Sequence, residues 1–159
     1  MSCKSTNENS SSKDAVSLND DRVIIFESTD SLAIRRVKVF PHDILNRKEL
    51  RYLSIIGQDC DITGMECFAI TSIPSEIDKL ENLEELYLPL NYITKLPHEI
   101  LNLKQLEVLD LSDNPGFADV TTLQQMNWLK EFYCYGCQLS DADIKALKMS
   151  LPDCIIGIE

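Results

Sequence analysis

The stretch from Leu83 to Gln105, LEELYLPLNYITKLPHEILNLKQ, decides the fold, because its leading positions recur 23 residues later. The chain continues at Leu106 with LEVLDLSDN, which keeps the leucines at the first, fourth and sixth positions and the asparagine at the ninth. A repeat of this kind predicts a solenoid in which each unit supplies one short strand. A single strand cannot bury its apolar face alone, so successive strands are expected to stack in parallel.

The same strand pattern begins at other places along the chain. It starts at Leu50 and Leu129, a terminal strand is expected over 151–158, and an upstream strand near Ile34 uses Val37 and Val39. The predicted repeats therefore begin near 34, 50, 83, 106 and 129. Asn91 and Asn114 hold the ninth position, where a side-chain amide can bond backbone groups of its own turn and of the next repeat.

A second motif returns the chain on the opposite side of each unit. Three segments share it: FPHDILNRKEL from Phe40, IPSEIDKLENL from Ile73 and LPHEILNLKQL from Leu96. Proline fixes φ and lacks a donor, which suits the first turn of a short helix or 3₁₀ segment on the convex side. His42 and His98 occupy equivalent places after the prolines, so they are interpreted as repeat copies and not as a catalytic pair.

Both ends of such a stack need caps. Two apolar runs, Arg22–Glu27 and Leu32–Val39, predict a hairpin that forms an N-terminal cap over 22–39. At the other end Ser140 is the expected N-cap of a helix reaching Ser150, followed by the last strand. Residues 1–21 are polar and are expected to form a flexible tail, which leaves 22–159 as one domain.

The repeats resemble the leucine-rich-repeat (LRR) family, in the class of 23 residues with an L-P-x-x-I-x-x-L return segment. The resemblance implies an α/β right-handed solenoid with a short curved parallel sheet and a helical or 3₁₀ convex side. It also implies a binding scaffold without catalytic activity and without a cofactor. The sequence departs from the pattern at an insertion, Gln58–Ala69, and at Pro115–Val120, which replaces the L-P segment. The insertion is a second candidate for binding, or a cover for the sheet edge.

The charge of the chain limits its partners. The formal net charge is −11 and the pI is about 4.6, so nucleic acid and anionic membrane surfaces are disfavoured as partners. A basic protein or peptide is favoured, although an acidic surface that only confers solubility is equally compatible. No phosphate loop, H-E-x-x-H or G-x-S-x-G motif occurs in the sequence.

Four of the six cysteines coincide with positions of the repeats. Cys60, Cys134, Cys137 and Cys154 align with interior or turn positions of the repeats and are expected to be core thiols. A disulfide, including Cys60–Cys67 in an oxidising compartment, is the first alternative, and a metal site is the weaker one. Cys3, followed by a polar tail, resembles the start of a mature bacterial lipoprotein and is the candidate for lipid attachment. This resemblance implies an extracytoplasmic protein that is anchored by a lipid on Cys3, whereas an unmodified Cys3 would fit a cytoplasmic protein.

Residues that alternate with the leucines should face outward on the concave side. They form three columns: Tyr52, Glu85, Val108, Glu131 and Asp153; Ser54, Tyr87, Asp110, Tyr133 and Ile155; and Ile56, Pro89, Ser112, Tyr135 and Gly157. Four of the five tyrosines lie there, which favours a contact surface. The candidate binding residues are Tyr52, Glu85, Tyr87, Asp110, Glu131, Tyr133 and Tyr135.

The expected function is binding of a protein or peptide by a monomer through this concave face. Two alternatives remain open. One is a cell-surface glycan-binding protein, because aromatic rings and carboxylates also suit sugars. The other is a structural module that associates with itself.

Overall fold

The computed structural model describes residues 22–60, 64 and 67–158, and the side chains of residues 59 and 60 are not part of that description. Predictions for residues 1–21, including lipid on Cys3, therefore lie outside the described residues. Within the described part, seven strands form one curved sheet in the order β1 (Val23–Glu27), β2 (Ser31–Arg35), β3 (Tyr52–Ile56), β6 (Glu85–Tyr87), β7 (Val108–Asp110), β8 (Glu131–Tyr133) and β9 (Ile155–Gly157). All neighbours pair in parallel except β1 and β2, which form an antiparallel hairpin.

The strands are short, as the spacing of the leucines predicts. Two further strands, β4 (Asp59–Cys60) and β5 (Cys67–Phe68), pair with each other. The proline-led segments form 3₁₀ helices, at His42–Asn46, Ser75–Lys79 and His98–Asn102. Each follows a proline in extended conformation, so the predicted return segments are confirmed.

The core is a ladder of apolar side chains enclosed between the sheet and the return segments. Leu83, Leu86 and Leu88 are fully buried, and so are Leu106, Leu109 and Leu111 one repeat later. Their register is direct, because Leu86 lies opposite Leu109 in the parallel pairing of β6 and β7. Burial of equivalent leucines on one another is the main favourable free energy of such a stack.

Buried asparagines close the turns of the middle repeats. The Oδ1 atom of Asn91 accepts from the Ile70 amide at 2.9 Å, and its Nδ2 donates to the Ile55 carbonyl at 2.9 Å. Asn114 repeats the arrangement, accepting from the Ile93 amide at 2.8 Å. The expected role is confirmed, but its direction was wrong: each amide bonds its own turn and the preceding repeat. The reason is that backbone groups of the preceding repeat, and not those of the next one, point toward each asparagine side chain.

The N-terminal hairpin is present, with a register that differs from the prediction. Leu32 lies opposite Leu53 and Ile34 lies opposite Ile55, so Ile34 fills the sixth position of its repeat and not the first. The strand ends at Arg35, and Val39 is exposed. The apolar spacing of this region satisfies two registers, and pairing of β2 with β1 and β3 selects one of them.

The insertion forms a small antiparallel hairpin from β4 and β5. Phe68 is buried, with the guanidinium of Arg36 4.4 Å and the ammonium of Lys38 5.0 Å from its ring centre. Cys67 is disulfide-bonded and its backbone lies opposite that of Cys60. Phe68 thus packs the described part of the insertion against the segment that follows β2.

The second predicted departure from the repeat lies on the convex side after β7, where Pro115–Val120 replaces the usual segment. Here Asp119 takes the place of the usual leucine, and it caps the short helix α1, Val120–Leu123, by accepting from the Thr122 amide. Its Oδ2 atom also accepts from the Leu96 amide of the preceding repeat at 3.2 Å. The predicted local change of the convex side is confirmed.

The C-terminal cap consists of helix α2, Asp141–Ser150, followed by β9. Ser140 forms the expected cap, since its hydroxyl accepts from the Asp143 amide and the Asp143 carboxylate accepts from the Ser140 amide. The register of β9 was wrong by two residues, because Glu131 lies opposite Ile155 and not opposite Asp153. Ile156 therefore holds the position assigned to Cys154, which is half-buried with a free thiol.

Cys134 and Cys137 are joined by a disulfide across the last turn, with Cα atoms 5.5 Å apart. The expectation of core thiols at these two positions was wrong. The Cys137 position corresponds to that of the asparagines in the middle repeats. In the last turn, the covalent bond between Cys134 and Cys137 thus takes the place of the asparagine hydrogen bonds that close the turns of the middle repeats.

Candidate functional site

The concave tyrosine face consists of residues that the parallel register brings together on one side of the sheet. Tyr52, Glu85, Val108 and Glu131 lie side by side in one column, and Ser54, Tyr87, Asp110 and Tyr133 lie in the next. The structure thus brings together the first two columns that the sequence predicts, apart from the shift in β9. It extends them at the N-terminal end, where Ser31 and Ala33 of β2 join the first and second columns.

The first aromatic pair on this face joins two neighbouring strands. The ring centres of Tyr52 and Tyr87 are 5.3 Å apart, with the ring planes tilted by 37°. The Tyr87 hydroxyl donates to Oε2 of Glu85 at 2.9 Å, which orients both side chains along the strand. Burial, followed by the Glu85 carboxylate, raises the pKa of Tyr87 well above its usual range. Tyr87 is therefore a neutral and oriented ring at physiological pH.

The second aromatic pair lies near the C-terminal end. The Tyr133 hydroxyl donates to Oε2 of Glu131 at 2.7 Å, and this hydrogen bond raises the pKa of Tyr133. The Tyr135 ring stacks on Tyr133 with centres 6.2 Å apart and remains 41% exposed. Gly157 makes room for both rings, because a Cβ there would lie 2.6 Å from Tyr133 and 2.6 Å from the Tyr135 hydroxyl oxygen.

Asp110 differs from the other carboxylates of the face. Its Oδ1 atom accepts from the amide of Ser112 at 2.8 Å, so part of its hydrogen-bonding capacity supports the turn after β7. Asp110 lies beside Tyr87 and Tyr133 in the second column. It places a negative charge between the two aromatic pairs.

A cleft of about 490 Å³ opens where the face meets the N-terminal hairpin. Its walls include Phe26, Asp30, Ser31, Ala33, Tyr52 and Glu85. Of these, only Tyr52 and Glu85 are predicted from the sequence. The other residues were missed because the register of β2 was not known from the sequence. Since Leu32 and Ile34 point inward, Ser31 and Ala33 must face the concave side.

A row of charged residues precedes the strands along the same edge. Arg51 donates to Glu84 through Nε at 2.8 Å and through Nη2 at 2.7 Å. Two repeats further on, Lys130 pairs with Glu107 at 2.6 Å. Both cations lie opposite carboxylates of the neighbouring repeat, so the row has no excess of positive charge.

The histidines are not part of this face. His42 and His98 begin two of the 3₁₀ helices, on the convex side, and are exposed. Among the described residues, no group of three or more His, Cys, Asp or Glu side chains is arranged to hold a metal ion. Neither described α-helix has the length and apolarity needed to cross a membrane. The arrangement of rings and carboxylates on the concave face is suited to contact with another molecule.

A family model and several solved structures are similar to this chain. Residues 81–125 match the family model described as Leucine Rich repeats (2 copies). Similar solved structures include an LRR protein of Leptospira interrogans, with 25% identity, a TM-score of 0.45 and coverage of 77% of this chain and 41% of that chain. A plant peptide hormone receptor, RGFR1 in complex with RGF2, has 23% identity, a TM-score of 0.49 and coverage of 81% and 24%. An internalin of Listeria monocytogenes has 15% identity, a TM-score of 0.37 and coverage of 74% and 50%.

The chain thus spans half or less of the length of each of these three proteins. The family assignment rests on the repeats, on their parallel register with the buried asparagines, and on the family model. Residues 81–125 are leucine-rich repeats, and the chain folds as a leucine-rich-repeat solenoid.

Proposed function

We propose that this protein binds a protein or peptide through the concave tyrosine face. Leucine-rich-repeat folds commonly mediate protein–protein interaction, and proteins of the family are generally non-enzymatic scaffolds. The observation that carries the proposal is the pairing of Tyr87 with Glu85 and of Tyr133 with Glu131 on one open sheet surface. The rings are held in place before a partner arrives.

Preorganisation favours binding because less side-chain entropy is lost when the partner docks. A tyrosine ring offers a large apolar area with two rotatable side-chain torsions, and here a hydrogen bond to a carboxylate restricts it further. The two aromatic pairs therefore serve as the anchors of the interface. A partner segment lying across the strands would contact both.

The charge of the face selects for basic partners. Glu85, Asp110 and Glu131 lie beside the tyrosines, and the whole chain carries a net charge of −11. Lysine and arginine bind carboxylates by charged hydrogen bonds and approach aromatic faces by cation–π contact. Such a partner would associate more weakly as salt increases.

A capture experiment with matched tyrosine variants tests the proposal. The wild type, a Tyr87→Ala/Tyr133→Ala double variant and a Tyr92→Ala control are immobilised and exposed to extract from the native source. Tyr92 is 46% exposed but lies in the turn after Asn91, outside the concave columns. All three proteins must first show equal thermal stability. We expect a protein that the wild type and the Tyr92 control retain and the double variant loses.

The opposite results are equally informative. Retention of the same partner by the double variant would rule out the concave face and redirect attention to the insertion. Capture that resists salt and disappears after enzymatic removal of glycans from the extract would favour glycan binding instead. Capture of the protein's own copies would favour self-association.

We also infer an oxidising location, as expected for an extracytoplasmic protein. The support is the disulfide of Cys134 and Cys137 together with the disulfide-bonded state of Cys67, since disulfides persist in oxidising compartments and are rare in the cytosol. Mass analysis of the protein from its native source, alkylated before any reduction, tests this: unmodified Cys134 and Cys137 are expected. Alkylation of both would place the protein in a reducing compartment.

A further inference from the structure

We propose that the cleft between the N-terminal hairpin and β3 binds one lysine or arginine side chain of the partner. The proposal rests on the proposed function, because it names the subsite that would read a basic peptide lying along the concave tyrosine face. The net charge of the protein favours basic partners in general, whereas this proposal assigns one lysine or arginine side chain of the partner to one cleft. Steric, aromatic and electrostatic features of the cleft support it separately.

The cleft exists because β2 presents small side chains to the concave side. Ser31 and Ala33 continue the columns that hold Tyr52 and Ser54 on β3 and the larger Glu85 and Tyr87 on β6. Where the later strands raise rings and carboxylates above the sheet, β2 leaves a depression with a volume of about 490 Å³. That volume is at the small end of the usual range for ligand pockets, roughly 300 to 1,000 Å³, and is large enough for one long side chain.

Aromatic rings lie at two sides of this depression. Phe26, on the edge strand of the hairpin, is 54% exposed although it is apolar, and it lines the cleft together with Tyr52. The Tyr52 hydroxyl forms no hydrogen bond with any of the described residues. The alkyl part of a lysine or arginine side chain can pack on these rings, and its charged end is attracted to their faces.

Two carboxylates have an oxygen that is open to a donor. Oδ1 of Asp30 accepts from the hydroxyls of Ser28 and Ser31, at 2.8 and 3.0 Å, and no described residue donates to its Oδ2. Similarly, Tyr87 donates to Oε2 of Glu85 and no described residue donates to Oε1. The hydrogen bonds from Ser28 and Ser31 lower the pKa of Asp30, so its carboxylate is charged throughout the physiological range.

Arg51 also lines the cleft, but its charge is engaged. Its guanidinium forms two hydrogen bonds with the Glu84 carboxylate, at 2.8 and 2.7 Å. The lining holds three carboxylates, those of Asp30, Glu84 and Glu85, against the one cation of Arg51, whose charge also acts on Asp30 and Glu85. An excess of two negative charges remains in the lining, and the open oxygens belong to Asp30 and Glu85. An anionic ligand would face both of them, whereas a cation would gain charged hydrogen bonds to their open oxygens.

A titration with a pair of small peptides tests the subsite without the natural partner. Acetyl-Gly-Arg-Gly-amide and its citrulline counterpart have the same shape and differ in charge, and each is added to isotopically labelled protein followed by NMR. We expect the arginine peptide to shift the amide signals of Asp30, Ser31 and Tyr52, and to bind at least about tenfold more tightly than the citrulline peptide. Equal binding of the two peptides would overturn the proposal, and so would shifts located elsewhere on the protein.

Variants locate the effect within the cleft. Asp30→Asn and Glu85→Gln each remove one negative charge and should weaken the arginine peptide at least about threefold, whereas Glu107→Gln removes a charge outside the lining and should not. Ala33→Leu fills the floor without a change of charge and should abolish the shifts. Equal circular dichroism spectra and thermal midpoints establish that each variant is folded. Unchanged affinity in all of the cleft variants would contradict the assignment.

The result separates this proposal from the proposed function. A double substitution of Tyr133 and Tyr135 by alanine lies at the far end of the face and leaves the cleft intact. If the arginine peptide binds this variant normally while captured partners are lost, the subsite and the wider interface are both supported. If partners are captured through the tyrosines but the peptide never binds the cleft, this inference fails and the proposed function stands.

Discussion

The hydroxyl of Tyr133 lies 2.7 Å from Oε2 of Glu131, and Tyr87 and Glu85 form the same pair two repeats earlier. Each pair consists of a residue in the first column and its neighbour in the second, so both side chains leave the same face of one short strand. The carboxylate fixes the ring, and the ring shields one oxygen of the carboxylate. The concave face is therefore built from paired side chains, and its properties should change with pH and with substitution of either partner.

The two hydrogen-bonded tyrosines should ionise later than an ordinary tyrosine. Burial is the main cause of the raised pKa at Tyr87, and the hydrogen bond to Glu131 is the main cause at Tyr133. In a titration followed by the ultraviolet absorbance of tyrosinate, these two residues should remain neutral above the usual pKa of about 10. Tyr87→Phe should remove one of the late-ionising groups. If Tyr87→Phe instead removed a tyrosine that ionises near pH 10, the raised pKa of Tyr87 would be contradicted.

The same shifts make the stability of the fold dependent on alkaline pH. Both tyrosines hold their protons more tightly in the folded state, so the unfolded chain loses them first as pH rises through about 10. The contribution to stability is complete below that pH and decreases above it. Urea unfolding of wild type and of Tyr87→Phe/Tyr133→Phe across this range should show a smaller loss for the double variant. Parallel curves would mean that other groups dominate.

Asn91 should be among the polar residues with the largest effect on stability. It is fully buried, and its amide joins the Ile70 amide to the carbonyls of Ile55, Leu88 and Pro89. Asn91→Ala leaves these buried groups without their partner, and we expect the free energy of unfolding to fall by about 3 kcal/mol.

Asn102→Ala is the matched control for this substitution. Asn102 is exposed and makes one long hydrogen bond, at 3.3 Å, to Asp78. Its replacement should change the free energy of unfolding in urea by less than about 0.5 kcal/mol. Similar losses for the two asparagines would show that burial and backbone bonding of Asn91 are not what matters.

Gly57 should not tolerate a side chain. A Cβ at this position would lie 2.0 Å from the Leu90 carbonyl oxygen and 2.4 Å from Oδ1 of Asn91, both of which belong to the next turn. Gly57→Ala should therefore separate two repeats and lower the thermal midpoint by several degrees, the shift that about 2 kcal/mol produces in a domain of this size. Gly116→Ala is the control, because its Cβ would approach only the Thr94 methyl group, at 3.1 Å. Equal midpoints for the two variants would contradict the predicted contact.

Reduction of the Cys134–Cys137 disulfide should destabilise the C-terminal end by about 2 kcal/mol, the chain-entropy value for such a short loop. A Cys134→Ser/Cys137→Ser variant should show the same loss in urea unfolding and no further response to reductant from this bond. Cys154→Ser is the control, since Cys154 is a half-buried free thiol whose pKa burial raises to about 11. If reductant did not change the free energy of unfolding of the wild type, packing and not the disulfide would stabilise the last turn.

The architecture follows from the amino-acid sequence alone, because the repeat is a local and periodic constraint. The leucine spacing from Leu83 to Leu111 fixes which side chains face inward, and the alternation along each strand then fixes which face outward. The proline-led 3₁₀ helices and the Ser140 cap followed from residue types whose backbone preferences are local. The same alternation placed Tyr52, Tyr87, Tyr133 and Tyr135 on one face, whereas their arrangement in pairs came from the structure.

The registers of the two terminal strands, β2 and β9, depended on tertiary contacts, because the local pattern allows more than one register for each. At the N-terminus, Ile34 and Val37 satisfy one register as well as Leu32 and Ile34 satisfy another, and pairing with β1 and β3 selects the second. That choice places Ala33 on the concave side and creates the cleft. At the C-terminus, helix α2 sets how far the chain travels before β9 begins, which moves Ile155 and not Asp153 beside Glu131.

The cysteines show the same division. A position in the repeat tells whether a side chain points inward, but a disulfide depends on the distance between two such positions across a turn. The distance of 5.5 Å between the Cα atoms of Cys134 and Cys137 comes from the conformation of that turn, with Gly136 at a positive φ of 69°. Spacing along the chain therefore predicted burial, whereas the chemistry of the pair depended on contacts that only the folded turn provides.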